Sequence, residues 1–137
     1  MTSLPHIIVS RLDLARLQAL LRSSSADAQP QLDSLRVELD RAEVVEDDAM
    51  PPTVATMGST IRFVIEPMGK QFELTLSYPE DVRGDPRRIS VLAPVGSALL
   101  GLSVGQTIDW QAPGGRSLKL RVKSVRYQPE AAGDFHR

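Results

Sequence analysis

Metal, nucleophile and phosphate chemistry each need particular side chains at particular spacings, and this sequence is sparing with all of them. Its two histidines, His6 and His136, stand near opposite ends of the chain. Neither has a partner at ligand spacing, so no imidazole metal site or Ser–His–Asp arrangement is spelled out. The absence of cysteine removes thiolate ligands, Cys nucleophiles and disulfides together. In the polar run SSSADAQ, Asp27 is the sole carboxylate, and Asp33 follows six residues later. Oxygen-bound divalent cations take several ligands, so this pair falls short of a metal site.

The stretch SVLAPVGSALLG, Ser90–Gly101, brackets small apolar residues with proline and glycine. A phosphate cradle would need closely spaced glycines ending in Gly-Lys-Ser/Thr, and the stretch has no such pattern. Pro94 instead suits a first helical position and Gly101 a left-handed stop. The expected structure is a strand feeding a short helix, whose apolar turn offers a docking surface.

Charge supplies two further groupings. Glu80, Asp81 and Asp85 interleave with Arg83, Arg87 and Arg88 in YPEDVRGDPRR, which reads as a solvated loop of local ion pairs. Lys119, Arg121 and Lys123 alternate along one strand face, with Arg116 and Arg126 nearby. Such a stripe suits an acidic partner or nucleic acid. The formal net charge of −1 and the lack of interleaved aromatics favour a solvated sheet face, so DNA binding by the chain alone is not expected. Trp110 shares a face with Ile108 and is expected in the core.

Two kinds of element must position these residues. Ser10 and Asp13 have capping-box spacing, flanked by Val9 and Leu14 at staple positions. Leu14, Leu17 and Leu21 then follow at helical spacing, predicting a helix over Arg11–Arg22. A second helix opens near Pro30 and carries Leu32, Leu35, Leu39 and Ala42 on one seam. These form a stubby antiparallel hairpin, each arm reaching roughly 18–21 Å, and EVVEDDAMPP links it to the remainder of the chain. From Thr53 the period changes to two. Phe72, Leu74, Leu76 and Tyr78 alternate with polar residues, Ile61–Glu66 precedes them, and Arg88–Leu92 is a third strand. Thr107–Gln111 and Ser117–Tyr127 flank Ala112-Pro-Gly-Gly115 as a hairpin.

The expected fold class is therefore α+β: residues 1–50 a helical hairpin with its linker, residues 51–137 an antiparallel β domain with one short helix. Five arginines face nine acids in the first fifty residues, and eleven basic residues face eight acids in the rest, in keeping with two modules. With 42% apolar and 24% charged residues, the composition is that of a soluble globular protein. No stretch approaches the roughly 18 apolar residues of a membrane span, and the N-terminus lacks the pattern of a signal peptide. A cytoplasmic protein without membrane contact is expected.

In order along the chain, ISVLAPVGSALLG, TIDWQAPGG and LKLRVKSVRYQPEAAGD resemble the C-terminal domain of the bacterial Gre transcript-cleavage factors. With the short hairpin, ELDRAEVV and MPPTVATM, the chain from about Ile7 to Asp134 is similar to the Rnk family, regulators of nucleoside diphosphate kinase. The resemblance implies an FKBP-like C-terminal fold, an antiparallel coiled coil, and docking on RNA polymerase near its secondary channel. In Gre factors a long coiled coil enters that channel, and an acidic pair at its tip helps hold a catalytic metal. Here the hairpin is short, and its tip, with Ser24, Ser25 and Asp27, offers a single acid.

The resemblance thus implies a non-enzymatic transcription regulator without a cofactor. It would dock through Leu92, Ala93, Pro94, Val95 and Ser97, where Pro94 matches the family's Ser-Pro element and Leu92 and Ala93 replace more polar residues. It would compete with Gre-type factors without stimulating cleavage, and affect nucleoside diphosphate kinase through its level. Direct binding to that kinase is one alternative. Prolyl isomerase activity, which FKBP-like folds can house, is another, but the chain's three Phe, two Tyr and one Trp are spent largely on strand core.

Overall fold

The computed structural model describes residues 6–23, 29–66, 68–111 and 117–133. The hairpin-tip residues Ser24, Ser25 and Asp27, and the turn at 112–115, lie outside the described residues. So do the side chains of Leu32 and Trp110.

The chain opens with strand β1 (Ile8–Ser10), helix α1 (Arg11–Ser23), helix α2 (Gln29–Arg41) and strand β2 (Glu43–Val45). Ser10 starts α1 as its spacing predicts: its buried Oγ accepts the Asp13 N–H at 3.1 Å. Val9 and Leu17 are buried and Leu14 and Leu21 half-buried, so one stripe of α1 faces inward. Leu35 and Leu39 do the same for α2. Ser10→Ala should cost about 1 kcal/mol through the lost cap, read from the urea midpoint, whereas Ser10→Thr should keep most of it.

The sequence between hairpin and β domain is more than a linker. Glu43–Val45 forms β2, which pairs in parallel with β1 through Ile8↔Glu43 and Ser10↔Val45. A single 3-10 turn (Asp47–Ala49) follows. Glu43-Val44-Val45 is short and shows no period-two alternation that would reveal β2.

The β domain contains β3 (Thr60–Glu66), β4 (Lys70–Ser77), β5 (Arg88–Ser90), β6 (Thr107–Gln111) and β7 (Ser117–Tyr127), in the order β5-β4-β3-β7-β6. The two hairpins β3–β4 and β6–β7 are antiparallel, as is β3 with β7. The expectation of a wholly antiparallel sheet is corrected at one edge, where β5 runs parallel to β4. The cause lies in YPEDVRG, expected as an irregular loop. It forms the one-turn helix α3 (Pro79–Val82) and reverses through two left-handed residues, Arg83 (φ 44) and Gly84 (φ 76). The expected single short helix, α4 (Pro94–Leu99), is thus joined by α3 and by α5 (Pro129–Ala132).

Ile61, Phe63 and Ile65 of β3, Leu118, Leu120 and Val122 of β7, and Ile108 of β6 meet Leu99 and Leu100 of the α4 region in one cluster. The same cluster takes in Ile7, Val9, Leu17, Leu35 and Leu39. Helices α1 and α2 and the five-stranded sheet therefore share a core, each apolar side chain contributing about 1.5–3 kcal/mol on burial. The opposite sheet face carries the basic stripe, and acids lie against it. Lys119 pairs with Asp109 at 3.2 Å, Arg62 with Glu73 at 3.2 Å, and Arg121 with Glu66.

Candidate functional site

The stretch from Ser90 to Gly101 folds into a tight turn closed by its own backbone. Leu92 N–H donates to Ser90 Oγ at 3.0 Å and Ala93 N–H to the Ser90 carbonyl at 3.0 Å. Ala93 is the N-cap of α4, with Pro94 at the first position, where a missing N–H costs nothing. Gly101 takes φ +81 beyond the helix end, the left-handed conformation its sequence position predicts.

The five predicted docking residues do not present themselves equally. Leu92, Ala93 and Val95 are half-buried, with Leu92 and Val95 packed against the core from its margin. Ser97 is turned inward: it is 3% exposed and its Oγ donates to the Val91 carbonyl at 2.7 Å. It braces α4 against the end of β5 and offers no hydroxyl at the surface. Pro94 is the first residue of α4, and its side chain lies outside the described residues. Helix α2 lies against α4, so the hairpin borders the same surface.

Sequence reasoning missed a polar junction beneath the hairpin. In a capping box the third helical residue reaches back to the cap's N–H, a reach best suited to Glu or Gln. The shorter Asp13 side chain instead crosses to the β domain, its Oδ2 accepting the Met57 N–H at 3.1 Å. Asp13 is only 5% exposed. Burial, with Glu130 and Asp47 nearby, pushes its carboxyl up to about 7, against the opposing pull of Met57 N–H and Arg16.

The segment that carries Met57 is itself pinned from the C-terminal end. Gln128 donates from Nε2 to the carbonyls of Pro51 and Val54, both at 2.8 Å, and accepts the Ala131 N–H at 3.1 Å. Thr56 Oγ1 donates to Glu130 Oε1 at 2.8 Å, and Thr56 N–H to Ser59 Oγ at 2.9 Å. On the far side, Arg16 lies 4.8 Å from the Tyr78 ring centroid. Among the described residues no group of three or more His, Asp or Glu is placed to hold a metal ion. No helix among them is long and apolar enough to cross a membrane.

Comparison with known proteins matches both halves of the chain. The family described as Rnk N-terminus matches residues 5–45, and the family described as transcription elongation factor GreA/GreB, C-terminal, matches residues 50–127. The regulator of nucleoside diphosphate kinase of Escherichia coli K12 is 43% identical over 133 residues, covering 97% of this chain and 98% of that protein. Transcription elongation factor GreA of Caldanaerobacter subterraneus is 26% identical over 105 residues, 77% of this chain and 66% of that one. A solved structure described as a GreA/GreB transcription elongation factor from Nitrosomonas europaea is 50% identical, with a TM-score of 0.70 over 90% of this chain and 99% of that one. With both parts matched in order and 97% of the chain aligned to such a regulator, the chain belongs to the Rnk family and carries a GreA/GreB-type C-terminal domain.

Proposed function

We propose that the protein is a non-enzymatic, cytoplasmic transcription regulator that binds RNA polymerase near its secondary channel and excludes Gre-type factors without stimulating transcript cleavage. In this reading residues 51–137 form an FKBP-like docking domain, with Leu92, Ala93, Pro94 and Val95 at the contact and Ser97 bracing it from inside. Residues 1–50 form an antiparallel hairpin that occupies the channel mouth. An apolar turn is a reasonable centre for such a contact.

One observation carries the reading: a GreA/GreB-type domain is joined to helices of only 13 residues each. At 1.5 Å per residue such arms reach roughly 20 Å, too short a probe to bring a tip acid to a buried reaction centre. No cofactor is required. An effect on nucleoside diphosphate kinase then follows through its level rather than by direct contact. Prolyl isomerase activity fits poorly. The pocket between α1 and α3, about 480 Å³, is lined by Arg16, Ala19, Leu20, Tyr78, Pro79 and Glu80, and its single aromatic ring lies under Arg16.

The test is competition for core RNA polymerase between the purified protein and a Gre factor. The unaltered chain should displace the factor and leave stalled transcripts uncleaved, and Pro94→Arg should lose displacement. Cleavage by the protein, or no displacement at all, would sink the proposal. Displacement retained by Pro94→Arg would move the contact away from the turn. Capture of purified kinase in the absence of polymerase would favour direct binding instead.

A further inference from the structure

We infer that Asp13 and Gln128 are positioning residues that fix the angle of the hairpin on the β domain, through a relay of hydrogen bonds running from α5 to α1. The consequence for function rests on the polymerase reading above; the geometry does not.

The hairpin is joined covalently to the β domain only through the segment after β2. A single tether leaves a short arm free to swing unless non-covalent contacts fix it. Three segments meet at its base. Ile8 N–H donates to the Gly101 carbonyl at 3.1 Å, Gly101 N–H to the Ala55 carbonyl at 2.8 Å, and Ala55 N–H to the Leu102 carbonyl at 2.8 Å. This ladder anchors β1, and Leu17, Leu35 and Leu39 pack into the shared core, but apolar packing is non-directional and does not by itself select one angle. Asp13 supplies a second contact from the first turn of α1, to Met57, two residues beyond Ala55.

That contact is only as firm as the backbone behind it, and the lead-in segment 51–59 belongs to no strand or helix. Gln128 makes it firm. It is 3% exposed, and its amide is used fully: two donated bonds to Pro51 and Val54 and one accepted from Ala131. Glu130 then holds Thr56, the residue before Met57. The C-terminal turn therefore acts on α1 through 51–57, with the Glu130 carboxyl also close to Asp13.

A buried carboxylate is an expensive way to gain stability alone, because desolvation offsets much of what the bond returns. An apolar side chain at position 13 would bury as well. What the carboxylate adds is direction: it accepts one particular N–H and so selects one angle.

The chain has no cysteine, so paired spin labels can be placed at will. Labels on Arg22→Cys in α1 and Lys123→Cys in β7, both exposed, report the hairpin–sheet distance in the full-length protein. The unaltered background should give one narrow distribution. Asp13→Leu and, at the far end of the relay, Gln128→Leu should each broaden it, while Asp13→Asn, whose amide oxygen still accepts Met57 N–H, should restore it. A core change of similar cost, Ile61→Val, should leave the width alone, which separates positioning from general loosening. If the competent angle falls to about a tenth of the population, the concentration needed to displace a Gre factor rises about tenfold.

Folded Asp13→Leu and Gln128→Leu proteins with an unbroadened distribution would overturn the inference. So would equal broadening by Ile61→Val. Broadening without any displacement by the unaltered protein would uphold the relay and sink the polymerase reading instead.

Discussion

Gly96→Ala is expected to destabilise the protein by more than about 4 kcal/mol, the range reserved for severe structural conflict. A Cβ at Gly96 would lie 1.9 Å from the Ser90 carbonyl oxygen, 2.8 Å from its carbon and 3.1 Å from Val91 Cα. All three are backbone atoms, so no side-chain rotation relieves the clash. The first turn of α4 would have to lift off the end of β5, taking Ser97 from Val91 and Leu99 and Leu100 from the core. Gly133→Ala makes an instructive control: its φ is +75, but nothing lies within 4 Å of an added Cβ. Only backbone strain is at stake there, at about 1 kcal/mol. Urea denaturation of both variants measures the contrast, and comparable midpoints would show that α4 does not pack on β5 this closely.

The second large effect is on pH dependence. Folded Asp13 holds its proton up to about pH 7, against a usual value of 3.8. Between those values the folded state binds a proton that the unfolded chain has released. Stability from this group is therefore fullest below about pH 4, falls as pH rises towards 7, and is flat above. A rise of that size bounds the whole effect at roughly 4 kcal/mol. The charged groups facing Asp13 are Arg16 on its own helix, Asp47 in the 3-10 turn and Glu130 on α5, with Tyr78 also close. Asp13→Asn should flatten the profile between about pH 4 and 7 and match or exceed the parent at pH 8. Glu130→Gln should shift the descent to lower pH. Parallel profiles for parent and Asp13→Asn would refute the assignment.

Legibility in the sequence followed the range of the interaction. Leu14, Leu17 and Leu21 revealed α1, and Phe72 to Tyr78 revealed β4, because neighbours a few residues apart carry the pattern. Pro94 and Gly101 bounded α4 because their backbone restrictions are local. The parallel edge was hidden, since nothing in ArgIleSer at 88–90 states the direction of its partner. Ser97 read as a surface hydroxyl, yet its acceptor is the carbonyl of Val91, six residues back. Asp13 was misread most instructively. Its spacing to Ser10 fitted a local cap, while its true partner, Met57, lies on another segment and appears only when hairpin and sheet come together.

The ladder between β1 and β2 has a consequence for how the chain is made. Strand β1 leaves the ribosome before its partners, which arrive in stages: Glu43 donates to the Ile7 carbonyl, the Gly101 carbonyl receives Ile8, and the Gln106 side chain donates to the His6 carbonyl at 3.0 Å. At about 5–20 residues per second, β2 follows β1 within about 2–7 s, and the last of these partners only after about 5–20 s. The N-terminal strand thus gains its last backbone anchors late in synthesis, once Gly101 and Gln106 have emerged.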